Sequence, residues 1–237
     1  MAKVCRYIIK RISCLKSPLK AAIKSLEIIP AFQDHNIALI HGDCRDLLPR
    51  IKDTSRVVIV SDPPYGIKWV HSNNPRPIIG DDKPFDPTHL LAFKCILFGG
   101  LHYHTSLPFL GSWIIWDKRC PHKGGRKACN IGPCHTNAMG DYEDIWLSFP
   151  THRTIFRHYW NGGVKATEAG IKRIHPTQKP VALMKWLIES YTTPGDLIID
   201  PYAGSCATLL AARSLGRFAI GIELDPQYIA PAVERLQ

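Results

Sequence analysis

The stretch that most restricts what this chain can fold into is residues 196–223, DLIIDPYAGSCATLLAARSLGRFAIGIE. Asp196–Ile199 reads as an apolar strand, Asp200–Ser205 as a tight turn, Cys206–Leu215 as an Ala-rich helix and Phe218–Ile222 as the next strand, closed by Glu223. A strand, a glycine turn, a helix and a strand that ends on an acid form the nucleotide-binding unit of a doubly wound sheet. Glycine permits close backbone approach, and the acid grips a ribose diol. The turn is not a GxGxxG fingerprint, because only Gly204 occupies it. Asp200, Pro201, Ala203, Gly204, Ser205 and Glu223 are the candidate cofactor contacts of this unit.

A second apolar run, Val57–Val60, leads into Ser61-Asp62-Pro63-Pro64-Tyr65-Gly66. Short β-branched runs suit strands buried on both faces, and two prolines, lacking N–H groups, must end this one. The loop offers the acceptor oxygens of Asp62, the carbonyl of Pro63 and the flat face of Tyr65, with Pro64 stiffening the turn. That set suits a planar ring bearing an exocyclic NH2. Two acceptors on its N–H bonds free the nitrogen lone pair and stabilise the positive charge that develops there. The plainer reading is an aspartate cap with a proline turn.

Charge narrows the class of partner. The chain has 237 residues and a formal net charge of +10, carried by two segments. Residues 1–26 hold seven Lys/Arg and no acid, and residues 117–174 hold ten Lys/Arg against five acids. Such an excess implies a polyanion and salt-sensitive binding. Lys118, Arg119, Lys123, Arg126 and Lys127 suit phosphate contacts, whereas Arg153, Arg157, Trp160, Lys172 and Arg173 mix cations with an aromatic, as a nucleic-acid groove does. Cys120, His122, Cys129, Cys134 and His135 lack paired metal-ligand spacing, so no metal is expected.

Asp62-Pro63-Pro64-Tyr65 resembles the catalytic motif of the S-adenosylmethionine-dependent amino methyltransferases that act on DNA. His175-Pro176-Thr177-Gln178-Lys179-Pro180 and Asp200-Pro201-Tyr202-Ala203-Gly204-Ser205 match the same family in its circularly permuted, beta-type form, in which the catalytic motif precedes the cofactor motif. The similarity covers about residues 36–70 and 111–237. It implies a Rossmann-like, mostly parallel seven-stranded α/β sheet in the order 3-2-1-4-5-7-6, with this chain starting at the third strand. It also implies S-adenosylmethionine as cofactor, double-stranded DNA as substrate, and His175, Thr177 and Lys179 at the methionine end of the cofactor. Asp43, in the Gly-Asp pair after the strand Asn36–His41, is implied beside the cofactor adenine; capping the next helix is its other reading. Asp as first catalytic residue implies N6 of adenine as target, with N4 of cytosine the alternative. RNA as substrate and a catalytically silent binder are the remaining rivals. The family's second turn glycine is replaced here by Cys206, which touches on cofactor affinity.

The remaining chain fits one domain over 31–237, after a basic extension 1–30 whose apolar residues from Val4 to Leu26 recur at helical spacing with an interruption near Pro18, and which reads as a DNA-backbone arm, an acid-poor transit-like sequence or residues upstream of the fold. DNA-contacting insertions are expected at about 71–87, a loop that either closes over DNA or simply connects, and at 117–140 and 150–174, with base readout by the short 150–174 segment expected to be shared with the 117–140 loop and with a second subunit of a homodimer. Leu90–Phe98 reads as a core helix, Ser112–Trp116 and Asp141–Phe149 as strands, and Val181–Tyr191 and Asp225–Leu236 as helices. No run of 18 apolar residues and no leader pattern is present, and the eight cysteines read as reduced thiols, which implies a cytoplasmic protein without a membrane partner.

Overall fold

The computed structural model describes residues 17–69, 76–118, 140–161 and 164–237. Its strands are β1 (Phe32–Gln33), β2 (Ile37–His41), β3 (Val57–Ser61), β4 (Lys94–Phe98), β5 (Ser112–Asp117), β6 (Tyr142–Leu147), β7 (Ile155–Arg157), β8 (Trp160–Asn161), β9 (Val164–Lys165), β10 (Leu197–Asp200) and β11 (Phe218–Glu223). The helices are α1 (Pro18–Leu26), α2 (Cys44–Leu47), α3 (Val181–Tyr191), α4 (Ala207–Ser214) and α5 (Pro226–Leu236).

Nine strands form one sheet in the order β1-β2-β11-β10-β3-β4-β6-β5-β7, two more than the seven expected. From β2 to β4 every neighbouring pair is parallel, while β1 and β6 join antiparallel to theirs. All five residues of β3 and all four of β10 are buried, as parallel strands covered on both faces must be. Side chains alternate between the faces. Val58 and Val60 pack under α3 and α4 with Leu183, Leu187 and Leu209, and Val57 and Ile59 pack on the other face with Leu19, Leu26 and Leu47.

One local expectation is corrected. Leu90–Phe98 is not a helix; its second half is β4, inserted between β3 and β6, with Cys95–Phe98 buried. A short apolar run does not distinguish a buried strand from a buried helix by periodicity, and here pairing decides. Pro18 starts α1, its fixed φ and missing N–H suiting the first turn, while the helical spacing expected ahead of it lies outside the described residues. α1 buries Leu19, Ala22 and Leu26 in the core that holds Ile40 and Ile222, so the packed fold begins inside the segment expected as an extension. Residues 1–16 of that segment lie outside the described residues. None of the described helices is long and apolar enough to cross a membrane.

Truncating Leu26 to alanine should cost about 2–5 kcal/mol in urea unfolding, the usual loss for a buried leucine. A change under about 0.5 kcal/mol would show that α1 is not part of the core.

Candidate active site

β3 and β10 are adjacent, and both end on the same crevice, where open α/β sheets bind their ligands. Ser61 closes β3 and Asp200 closes β10. The Ser61 hydroxyl donates to Asp200 Oδ1 (2.6 Å), Thr208 Oγ1 of α4 donates to Oδ2 (2.5 Å), and the Tyr202 N–H donates to Oδ1 (3.2 Å). Asp200 thus ties β3 to the turn after β10 and to α4 behind it. Burial, with the charge of Asp62 nearby, pushes its carboxyl up to about 6.

One residue beyond Ser61, Asp62 is held by two donors. Tyr65 Oη donates to Asp62 Oδ1 (2.5 Å) and Lys179 Nζ donates to Oδ2 (2.6 Å). Burial raises the Asp62 carboxyl above its usual range against the pull of Lys179, and Glu143 adds to the rise. Lys179, buried between Asp62 and Glu143 Oε2 (3.2 Å), is held charged above the ordinary lysine range by its two carboxylates, which outweigh its desolvation. Each carboxylate oxygen of Asp62 keeps a lone pair beyond the one in use, so the group can still accept from a ligand.

The Tyr65 ring stacks on His102 with centroids 4.9 Å apart and lies over Gly99. A Cβ on Gly99 would fall 2.3 Å from Tyr65 Cε1, and its φ is +65°, so both space and backbone require glycine. Pro63 is buried and Pro64 half-buried beside it. The loop that follows is folded back by Asp81, whose buried carboxylate accepts from the N–H groups of Gly66 (2.7 Å), Ile67 (3.2 Å) and Trp69 (2.7 Å). Nothing in Gly80-Asp81-Asp82 marks which aspartate turns inward.

Between this loop and the C-terminal motifs lies a cavity of about 610 Å³, within the range of small-molecule sites. Asp62, Pro63, Pro64 and Tyr65 line it, as do His175, Thr177, Lys179 and Glu223. A smaller recess opens from the same place onto Asp200, Ala203, Gly204 and Ser205, sharing Asp62, His175, Thr177 and Lys179 with it. Catalytic and cofactor candidates separated by more than a hundred residues therefore meet at one crevice. Glu223 accepts from the N–H of Gly204 (2.7 Å) and of Asp225 (2.8 Å), which shapes the turn from the neighbouring strand. His175 lies edge-on to Tyr228 (4.3 Å) and against Gly204, where a Cβ would come within 3.2 Å of its ring. Burial, helped by the Lys179 charge, pushes the His175 imidazole down to about 4, so it is neutral at pH 7.

Cys206 adopts the left-handed conformation, φ +60°, that a glycine would take there, and its side chain is fully buried. The turn keeps its shape at a cost of about 1–2 kcal/mol in backbone strain. Glu168, which carried no signal in the sequence, accepts from the Val181 N–H at the start of α3 (2.8 Å) and pairs with Arg235 of α5 (2.8 Å). Arg235 also donates to the Ser205 carbonyl (2.7 Å), so the segment before α3 is clamped to the cofactor turn.

Several expected site residues sit elsewhere. Asp43 caps α2 through the Arg45 N–H (2.8 Å), and neither it nor Pro201 lines the cavity. Lys118 is no phosphate contact: its side chain is 5% exposed and donates to Glu143 Oε1 (3.1 Å). Trp160 is no stacking surface, being 5% exposed within the main core. Arg153, Arg157 and Lys172 are exposed, with Arg157 also reaching Asp117 (3.2 Å), and Arg173 is half-buried. Arg119, Lys123, Arg126 and Lys127, with the Cys and His residues of that loop, lie outside the described residues. Among the described residues no group of His, Cys, Asp and Glu could hold a metal ion.

Replacing Gly99 with alanine should drive the Tyr65 ring from Asp62 and cost at least about 2 kcal/mol in urea unfolding. Stability within about 0.5 kcal/mol of the parent would contradict this packing.

Residues 122–234 match a family profile described as DNA methylase, for N6 and N4 methyltransferases. DNA adenine methyltransferase YhdJ of Escherichia coli (strain K12) is 39% identical over 93 residues, 39% of this chain and 27% of that protein. The alignment thus spans about a quarter of that relative's length. Type II methyltransferase M2.LlaDCHI of Lactococcus lactis subsp. cremoris is 25% identical over 87% of this chain and 91% of its own length. In fold, the chain is similar to the M1.HpyAVI-SAM complex (TM-score 0.54, 23% identity, 85% of this chain and 99% of that one). It is also similar to the PvuII DNA methyltransferase, cytosine-N4-specific (TM-score 0.59, 17% identity, 88% and 89%). Over residues 122–234 and in the relatives it matches, the chain is similar to the DNA methylase family of N6 and N4 methyltransferases.

Proposed function

We propose that this chain transfers a methyl group from S-adenosylmethionine to the exocyclic N6 of adenine in DNA. The observation that carries the reading is that Asp62–Tyr65 and the Asp200–Ser205 turn, on adjacent strands, open onto one crevice. The adenine-naming relative supports N6 over N4.

The residues present fit the cofactor. Gly204 leaves a hollow against His175 that a Cβ would fill, and Glu223 stands at the strand end suited to a ribose diol. Ala203, Gly204 and Ser205 would hold the amino-acid end from the recess, with Thr177 and His175 beside them. S-adenosylmethionine, when bound, supplies an electrophilic methyl group on a sulfonium. A neutral His175, and a Lys179 whose charge is balanced by Asp62 and Glu143, add no uncompensated positive charge where that cation would lie.

The chain's own contribution is then grip and orientation. The target base must leave the stack, at a cost of a few kcal/mol, and Tyr65, backed by His102, is the flat surface offered to it. Asp62 accepts one N–H of the amine and the Pro63 carbonyl the other, which frees the nitrogen lone pair. Tyr65 and Lys179 fix the Asp62 carboxylate, so an in-line transfer is achieved mainly by positioning. Arg153, Arg157, Lys172 and Arg173 would meet phosphates, together with Arg119, Lys123, Arg126 and Lys127 of the 117–140 insertion.

Labelled methyl from S-adenosylmethionine should enter unmethylated genomic DNA and be recovered as N6-methyladenine after digestion to nucleosides. Asp62→Ala should lower that transfer by at least about 10³-fold while cofactor affinity changes less than about threefold. Label in N4-methylcytosine would overturn the choice of base, and full activity of the variant would overturn the mechanism.

A further inference from the structure

We propose that Glu143 is a positioning residue for Asp62: by sharing the Lys179 ammonium it keeps that cation from being spent wholly on Asp62, whose oxygens stay open to the substrate amine. This rests on the reading of Asp62 as the acceptor of that amine.

Glu143 belongs to β6, two strands away from β3 in the sheet, and reaches the catalytic loop past β4. Its register explains the reach. β5 and β6 pair Trp116 with Glu143, and just beyond β5 the backbone N–H of Lys118 donates to the Asp141 carbonyl. Lys118 and Glu143 therefore meet at one end of the β5–β6 pair, on the crevice side. Four charges form a chain there. Asp62 Oδ2 lies 2.6 Å from Lys179 Nζ, Lys179 Nζ 3.2 Å from Glu143 Oε2, and Glu143 Oε1 3.1 Å from Lys118 Nζ. Phe98 walls the chain on one side, 5.2 Å from Lys179 Nζ.

The two contacts of Lys179 are unequal in kind. The one to Asp62 is a short hydrogen bond, whereas Glu143 Oε2 is buried with no donor aligned on it and is met by Lys179 through charge. In a lone Asp62–Lys179 pair the full ammonium charge would draw on the carboxylate and leave its remaining lone pairs weaker acceptors for a ligand. A second carboxylate in reach loosens that bond at low cost in desolvation, because Lys118 balances the added charge. Besides Lys179 and Glu143, the titratable groups that face Asp62 are Tyr65 on its own loop, Asp200 at the end of β10 and Tyr103 before β5. Those that face Glu143 and Lys179 also include Asp144, Tyr65 and His175.

The test is the pH dependence of kcat for methyl transfer to DNA in the parent, in Glu143→Gln and in Lys118→Met. If activity needs ionised Asp62, its acid limb reports that carboxyl. Glu143→Gln should move the limb to lower pH by about 0.5–1 unit, a 3- to 10-fold change in acidity, and lower kcat about tenfold with both KM values within about twofold. Lys118→Met, which leaves the Glu143 charge uncompensated, should move the limb the other way. Limbs that stay fixed, or that shift in one direction in both variants, would overturn the proposal, because a merely structural pair changes amount of folded protein and not acidity. Should Glu143→Gln fail to fold, Lys118→Met carries the test by its opposite sign. Carboxyl-carbon NMR of aspartate-labelled protein follows the Asp62 titration without turnover, so the same shifts decide the matter even if the parent transfers no methyl group, an outcome that would count against the proposed activity alone.

Discussion

The ion pair between Asp62 and Lys179 is the contact on which the site depends. It joins the loop after β3 to the segment before α3, and so brings a carboxylate from the first third of the chain to residues from its last third. A buried pair of this kind does not come free: desolvation offsets most of its attraction unless further hydrogen bonds complete it. Here Tyr65 completes the carboxylate, and Glu143 with Lys118 completes the cation. The net charge of the four groups is zero, so the cluster leaves no uncompensated charge in the crevice that we propose receives a base and a charged cofactor.

The sheet makes this meeting possible. Adjacent parallel strands that connect in opposite directions leave a gap at their carboxyl ends, and β3 and β10 do so here. Asp200 then acts across the gap in the other direction from Lys179, accepting from Ser61 at the end of β3 and from Thr208 on α4. With Asp81 holding the loop after Tyr65 and Glu168 holding the segment before α3, four carboxylates, Asp62, Asp81, Glu168 and Asp200, fix the backbone around the cavity. Preorganisation of that kind is what a transfer governed by positioning requires.

Much of this was readable in the sequence where local chemistry is self-contained. A β-branched run stopped by Pro63-Pro64, and a strand-turn-helix-strand unit around Gly204, name their own structures because proline and glycine restrict the backbone directly. The interior partners were not readable. Glu143 sits in DYEDIW, where alternation marks a strand but leaves open which acid reaches the crevice; that depends on β6 lying two strands from β3. Residue type alone makes Lys118 and Trp160 nucleic-acid contacts, yet both turn inward because long-range pairing and packing, not composition, set their exposure. Asp43 took the capping role that a strand-end aspartate before a helix can always take.

A double-mutant cycle on the single-turnover rate of methyl transfer, built from Asp62→Asn and Lys179→Met, tests the central claim most directly. If the two side chains act as one unit, each single substitution should cost nearly as much as the pair, with a coupling above about 1 kcal/mol. Additive losses, with coupling under about 0.5 kcal/mol, would show that Lys179 does not work through Asp62 and would contradict the account.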